Sequence, residues 1–280
     1  MQREYDGDVA ATYEAIIEHP DQDKQPVAVM LDRFIKGVGH VVMLATLLLM
    51  IAIVSQVVLR YAFNMNFPKL DELQWHLYGL VTMFGVSYAM VTDSHVRVDL
   101  LHMQLSMRAR RVVEMLGILL LLAPFVFLMI DQGYDYFYGS FRVNEGSSSA
   151  TGLPWLWLFK AVIPVSFVML ALAALSRLIH DGHALLQNRP EEREGRSILL
   201  VAGVFAAMMG VAWVLKFSVG TTEEMMVMGM FMTFIGLLFT GFPGAWTLAG
   251  SGMLVGFAAW AFDNDLMLWT GLEATFTGLD

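Results

Sequence analysis

The polar residues that could do chemistry in this chain are concentrated between residues 59 and 101. A basic residue and an aromatic residue, Arg60 and Tyr61, are followed by a pair of carboxylates, Asp71 and Glu72. A carboxylate can pair with an arginine, and it is also stabilised at the positive amino-terminal end of a helix. For the acidic pair the sequence leaves both alternatives open: a contact with Arg60, or a position in the first turn of a helix.

Residues that commonly carry catalysis or bind metals do not form a pattern in this sequence. The chain contains no cysteine, so thiol catalysis, zinc-thiolate sites and disulfides are excluded. His180 and His183 lie in a charged linker, and the run from Asp93 to His95 fits helix capping at least as well as metal ligation. Nucleophile-elbow, Walker and dinucleotide-binding motifs are missing. We predict no catalytic residue, no metal ligand and no cofactor.

The composition indicates a membrane protein. Of 280 residues, 57% are hydrophobic and 15% are charged, which is too apolar for an ordinary soluble domain. The net charge of -9 argues against nucleic-acid binding, because phosphate binding needs clustered Lys and Arg. Many of the acidic residues lie in residues 1–29, which we predict to form a cytoplasmic tail with a short helix over Val9–Glu18.

The arrangement of apolar runs predicts an all-α, polytopic fold. A helix needs about 20 mostly apolar residues to cross the ~30 Å hydrocarbon layer. The last apolar run is too long for one crossing, and a Gly- and Pro-containing stretch divides it into two helices. The predicted crossings are Gly37–Leu59, Leu73–Val91, Val112–Ile130, Leu153–Leu175, Ser197–Leu215, and two within Met225–Phe262.

The distribution of basic residues predicts the orientation of these crossings. Cytoplasmic loops carry an excess of Lys and Arg. Twelve such residues flank the runs on the side of the amino terminus, and four lie on the opposite side. The amino terminus is therefore predicted to be cytoplasmic, and in the inner membrane of a bacterial cell the opposite loops would face the periplasm.

Several polar residues fall inside the apolar runs. We expect the ammonium of Lys160 to reach outward to the interface rather than to act as a functional cation. We expect His40 and Gln56 to hydrogen-bond to neighbouring helices rather than to line an ion path. Pro124 and Pro164 predict simple kinks rather than discontinuous binding helices.

The order of motifs resembles the small membrane subunit of tripartite ATP-independent periplasmic (TRAP) transporters. The resemblance covers approximately residues 30–186 and includes a Gly-Leu-Pro sequence before the fourth helix. The residues that carry it are Arg60, Tyr61, Phe63, Asn64, Asp71, Glu72, Leu73, Phe84, Gly85, Ser87, Tyr88, His95, Val96 and Asp99.

The resemblance also implies a domain organisation. Residues 30–186 would be the four-helix small-subunit domain, and residues 187–222 a cytoplasmic linker with a linking transmembrane helix. Residues 223–280 look like the start of a fused large subunit. The family places transport and its sodium sites in the large subunit, so we do not expect this polypeptide to transport anything alone.

The resemblance further implies partners and residue roles. The complex takes up an organic anion, commonly a carboxylate, using a sodium gradient and a periplasmic binding protein. The expected partners of this chain are the large membrane subunit, the binding protein and the lipid bilayer. Structural or interface roles follow for seven residues: Arg60, Tyr61, Asn64 and Glu72 at the first helix junction, Gly85 in the second helix, and His95 and Asp99 at the cytoplasmic turn.

Two other classes of function compete with a transporter. An integral membrane subunit of a redox or other enzyme complex needs paired ionisable groups at matching depth, such as histidines on facing helices for haem. Only His40 lies well inside a predicted crossing. An assembly factor without a transport partner is the third alternative.

Overall fold

The computed structural model describes residues 25–95, 107–147, 152–187, 231–238, 244 and 246–253. The regular elements of these residues are helical and none is a strand, which confirms the all-α prediction. The elements are α1 (Pro26–Ala62), α2 (Pro68–Val91), α3 (Met107–Gly117), a π-helical turn (Ile118–Leu122), α4 (Ala123–Arg142), α5 (Leu156–Lys160) and α6 (Val162–Gln187).

Three helical segments in the described part of the chain are long and apolar enough to cross a membrane: Pro26–Ala62, Arg108–Arg142 and Leu156–Leu186. They contain the first and third predicted crossings and all of the fourth except Leu153–Trp155, which are not helical. The shortest has 31 residues, or about 46 Å at 1.5 Å per residue, so all three exceed the hydrocarbon layer. The predicted boundaries were therefore too short, because hydropathy detects the apolar centre of a helix and not its polar continuations.

The second predicted crossing, α2, is not one of these three segments. Gln74 and His76 lower the hydropathy of its leading half. The direction of α2 in the bundle follows from a contact between helix ends. Gln56 near the end of α1 donates a hydrogen bond to Asp71 near the start of α2, so the two helices run in opposite directions.

Contacts between the other helix ends complete the topology. Near the end of α6, Arg177 donates to Glu114 near the start of α3, and Ser176 donates to Asp32 near the start of α1. Successive long helices therefore run in opposite directions. Since α1 and α3 run the same way, α2 has to return the chain between them, which supports four crossings.

The bundle has two polar ends, the Glu72 end and the Arg177 end, each called after its central residue. The Glu72 end contains the turn between α1 and α2 and the connection between α4 and α5. The Arg177 end contains the start of α1, the end of α2, the start of α3 and the end of α6. The core between them is apolar, and its buried residues are Ile35, Met90, Ile118, Leu122, Val126, Met169, Leu170, Ala173, Ala174 and Trp246.

The outer surface of the bundle is also apolar. Of the three spanning segments, Pro26–Ala62 is the least covered, with 22% of its most apolar window buried against 39% in each of the others. The exposed leucine, isoleucine and valine side chains of this helix would be unfavourable in water but are compatible with an apolar membrane environment. The exposed apolar surface of the first helix is therefore suited to contact with lipid or with another membrane helix.

One tight helix contact depends on a glycine. A Cβ atom on Gly39 of α1 would overlap the ring of Tyr88 on α2. The missing side chain lets the aromatic ring lie directly against the α1 backbone, as small residues do in membrane helix pairs.

The two helix prolines are accommodated in different ways. Pro124 lies in the first turn of α4, directly after the π-helical turn. Because proline lacks an N–H group and crowds the carbonyl four residues earlier, a wider turn relieves the clash. Pro164 is the third residue of α6, which begins after a break at Ala161. The backbone N–H groups of the first turn of a helix have no acceptor within that helix, so the N–H group that proline lacks costs no hydrogen bond at this position.

The carboxyl-terminal region is described in part. Residues 231–238 and 246–253 are helical, whereas the predicted linking helix, the amino-terminal tail with its predicted helix, and Asp99 lie outside the described residues. Leu237 packs with Ala109, Val113 and Leu121, so this region contacts the four-helix unit along α3 and the π-helical turn.

Candidate functional site

Glu72 joins the start of α2 to the connection between α4 and α5. Its carboxylate accepts hydrogen bonds from the Ser147 hydroxyl at 2.5 Å and from the Leu153 backbone N–H at 2.8 Å. A Cβ atom on Gly152 would collide with both Ser147 and the Glu72 carboxylate. The glycine before Leu153 is thus required for the connection to close around the carboxylate.

The neighbouring acid, Asp71, makes a different connection. It accepts a hydrogen bond from Gln56 of α1 at 2.5 Å, and Gln56 is buried. The amide of Gln74 adds a bond to the Ala52 carbonyl at 3.2 Å. Adjacent helix residues point about 100° apart, so one acidic pair can bind two different partners. The prediction that Gln56 hydrogen-bonds to a neighbouring helix is confirmed.

The junction residues Arg60, Tyr61 and Asn64 lie beside this network and not within it. The Arg60 guanidinium is 6.0 Å from the ring centre of Tyr61, and both side chains are exposed. In the described residues neither acid of the pair contacts Arg60, so that alternative is wrong. Asn64 has a φ of 54°, a left-handed conformation that asparagine tolerates better than most residues. The interface roles that the resemblance implies for these residues stay predictions.

Lys160 is the second centre of the Glu72 end. Its ammonium is 2.5 Å from the Glu145 carboxylate and 4.1 Å from the ring centre of Tyr136, and the residue is only 8% exposed. The expectation that Lys160 reaches outward to the interface is therefore wrong. Glu145 lies fifteen residues earlier in sequence and supplies a partly exposed partner that a scan of single helices misses. Nearby, the Trp157 indole N–H donates to Asn144 at 3.1 Å.

Arg177 is the centre of the opposite end. Its guanidinium donates to Glu114 of α3 at 2.7 and 3.2 Å, and it approaches Asp181 at 3.2 Å and Asp93 at 3.6 Å. One side chain of α6 thereby connects α3 and the end of α2. From sequence Arg177 counted only as a flanking charge. Its spacing of four residues from Asp181 was the available signal.

A second contact at the Arg177 end connects α6 to α1. The Ser176 hydroxyl lies 2.5 Å from Asp32 and 3.2 Å from the Ala28 carbonyl. Together Ser176 and Arg177 bring all four long helical segments into one polar network.

The remaining predicted residues lie near this end or along α2. His95 packs edge-on against Trp246, with ring centres 5.4 Å apart, so it contacts the carboxyl-terminal region. Gly85 is half-buried, and a Cβ atom there would meet no atom within 4 Å. Exposed His40 approaches the Lys36 carbonyl on its own helix at 2.6 Å and the Tyr88 ring of α2 at a centre distance of 6.4 Å.

These contacts are suited to holding helices together and not to transforming a substrate. In the described residues no three His, Asp or Glu side chains are grouped to hold a metal ion. The Arg177–Glu114 ion pair connects helices that are far apart in sequence, and the Lys160–Glu145 ion pair lies at the opposite end of the bundle. Their arrangement resists sliding or rotation of one helix against another.

The pH dependence of the Glu72 end can be predicted from Glu145. The hydrogen bond from Lys160 holds the pKa of the Glu145 carboxyl below its ordinary value. A lowered pKa means that the pair stabilises the fold above the ordinary carboxyl range and that this contribution is lost as pH falls through the folded-state value. We expect hydrogen exchange in the 143–155 connection, corrected for intrinsic rates, to become faster as pH falls below the ordinary carboxyl range.

A matched variant identifies the source of this pH dependence. In Glu145→Gln the connection should exchange faster already at pH 7 and should show a smaller additional change on acidification. An unchanged pH profile in this variant would contradict the assignment to Glu145.

Comparison with known proteins gives one finding. The family described as tripartite ATP-independent periplasmic transporters, DctQ component, matches residues 49–182. No curated protein and no solved structure is significantly similar to the chain. The matched range starts within α1, ends within α6, and includes Glu72, Lys160 and Arg177.

Proposed function

Because the chain belongs, through residues 49–182, to the DctQ component family of tripartite ATP-independent periplasmic transporters, we propose that its four helices form the fixed membrane scaffold of such a transporter. DctQ proteins are small membrane components of transporters and not enzymes, which removes the membrane-enzyme alternative. The finer proposal is that the complex imports an organic anion, a carboxylate, by sodium symport.

The observation that carries the scaffold role is the pair of polar networks at opposite ends of the bundle. At one end Glu72 and Lys160 hold the connection between α4 and α5. At the other, Arg177 and Ser176 connect α6 to the other long helices. Secondary transporters move one part of the protein against another part that stays in place. A bundle fixed at both ends is suited to be the part that stays.

We assign substrate binding and sodium binding to the large membrane subunit. The carboxylates of the two networks are committed to lysine, arginine, serine, glutamine or backbone donors within this chain. A residue committed in this way is poorly placed to exchange an ion during each transport cycle.

The proposed orientation places the Arg177 end in the cytoplasm and the Glu72 end in the periplasm of a bacterial inner membrane. It rests on the excess of Lys and Arg near the Arg177 end. A periplasmic binding protein would then meet the Glu72 end, where Tyr134, Tyr138, Phe141 and Trp155 are exposed. Exposed aromatic side chains of this kind are common in interface cores.

Copurification tests the scaffold proposal. The full chain, tagged at the amino terminus, would be isolated from native membranes in mild detergent, with an unrelated tagged polytopic protein as control. We expect recovery of a large polytopic transporter subunit or of a longer form of this same chain. A stable chain that is recovered alone, while the detergent preserves other membrane complexes, would contradict the proposal.

A further inference from the structure

A cleft on α1 lies at the Arg177 end, on the exposed side of this helix. Its volume is about 290 Å³, and its lining residues in the described part of the chain are Val29, Asp32, Arg33, Lys36, Gly37 and His40. The cleft precedes the apolar centre of α1, at the depth where a spanning helix meets lipid headgroups.

The charges of the cleft favour an anion. Within the described residues, the side chains of Arg33 and Lys36 have no hydrogen-bond or ion-pair partner. Among the described lining residues the one acid is Asp32, which contacts the Ser176 hydroxyl of α6 at 2.5 Å and is thereby directed toward the bundle. The two cations are therefore available to a ligand from outside, whereas Asp32 is engaged inside.

An exposed apolar stripe continues the same face of α1. Residues 33, 40, 44, 47 and 51 recur at intervals of three, four and seven and so share one side of the helix. Leu44, Leu47 and Ile51 on this side are 64%, 57% and 63% exposed. From His40 to Ile51 the helix rises about 16 Å, roughly half of the ~30 Å hydrocarbon layer.

We propose that this cleft binds the phosphate headgroup of an anionic phospholipid, whose acyl chains lie along the Leu44–Ile51 stripe. Arg33 and Lys36 would contact the phosphate, and Gly37, which has no side chain, leaves room for the headgroup. Basic pockets at membrane helix ends are suited to anionic headgroups, and the adjoining stripe provides apolar contact that a free phosphate cannot use. The bound lipid would belong to the scaffold and not to the transport path.

Gly37 allows the cleft to be filled without a change in charge. A Cβ atom there would meet no atom within 4 Å, so Gly37→Leu should occupy the cleft without displacing a neighbour. Replacing a helix glycine should also favour helix formation. Gly139→Leu is a matched control, because Gly139 is exposed on α4 at the opposite end and is equally free of contacts.

Native mass spectrometry of the full, delipidated chain can test the site. The probes are dioleoyl phosphatidylglycerol and dioleoyl phosphatidylcholine, offered at equal concentration. We expect the unchanged chain to retain phosphatidylglycerol preferentially. The preference should fall about fivefold for Arg33→Gln or Lys36→Gln and by roughly 25-fold for the double variant. Gly37→Leu should reduce retention several-fold, and Gly139→Leu and Arg142→Gln should not.

Several outcomes would overturn the proposal. Equal retention of the two lipids by the unchanged chain would remove the headgroup preference. Unaltered retention in Gly37→Leu and in the double variant would place bound lipid elsewhere. Displacement of phosphatidylglycerol by inorganic phosphate at the same concentration would show that the cations bind free phosphate. A thermal unfolding midpoint like that of the unchanged chain ensures that a loss of lipid is not a loss of fold.

Discussion

Replacing Arg177 with Gln should destabilise the bundle more than any other single substitution considered for this chain. The change removes the guanidinium from Glu114 and Asp181, whose side chains are only 11% and 4% exposed. Removing one partner of a buried ion pair typically costs about 3–5 kcal/mol, because the remaining charge is left in a poorly solvated site. We expect a clearly lower thermal unfolding midpoint in detergent and faster hydrogen exchange near the start of α3.

The structure provides a control and a rescue for this prediction. Arg142→Gln removes an exposed arginine at the other end, which within the described part of the chain contacts the ring of Tyr138, and should have a small effect. Adding Glu114→Gln to Arg177→Gln neutralises one carboxylate that has lost the Arg177 guanidinium and should restore part of the lost stability. If the double variant is as unstable as the sum of the two single variants, Arg177 and Glu114 are not energetically coupled and the pairing is wrong.

The helices of this protein could be predicted from sequence because their signal is local. A run such as Gly37–Leu59 is apolar over the length that the bilayer demands, and the structure places a helix over the whole run. Asp71 lies in the first turn of α2, as carboxylates near a helix start commonly do. Boundaries were less accurate, because charged residues such as Asp32 and Arg142 continue the helices beyond the apolar runs.

The two polar networks could not be predicted in the same way because their partners are far apart in the chain. Glu72 meets Ser147, 75 residues later, and Arg177 meets Glu114, 63 residues earlier. Helix periodicity indicates which residues share a face of one helix but not which residue of another helix lies opposite. Lys160 illustrates the consequence: considered alone, a lysine in an apolar run is expected to reach for the interface, and only the fold brings Glu145 beside it.

Replacing Lys160 with Met should give the second large effect and should loosen the Glu72 end selectively. The change removes the ion pair with Glu145 and the contact with the Tyr136 ring, while methionine fills a similar volume. The Glu145 side chain is 33% exposed, so water can solvate part of the orphaned charge, and the cost should be about 1–3 kcal/mol rather than the full buried value.

The same reasoning predicts how the Lys160→Met effect depends on pH and on its partner. At pH 7 the variant should show faster hydrogen exchange in the 143–155 connection, with little change at the Arg177 end. As pH falls through the lowered folded-state pKa of Glu145, the difference between the two proteins should shrink, because the unchanged chain then loses the ion pair as well. Lys160→Met combined with Glu145→Gln should be more stable at pH 7 than Lys160→Met alone. A difference that stays constant with pH would mean that Lys160 stabilises this end by packing, and that its charge has no part in holding the connection between α4 and α5.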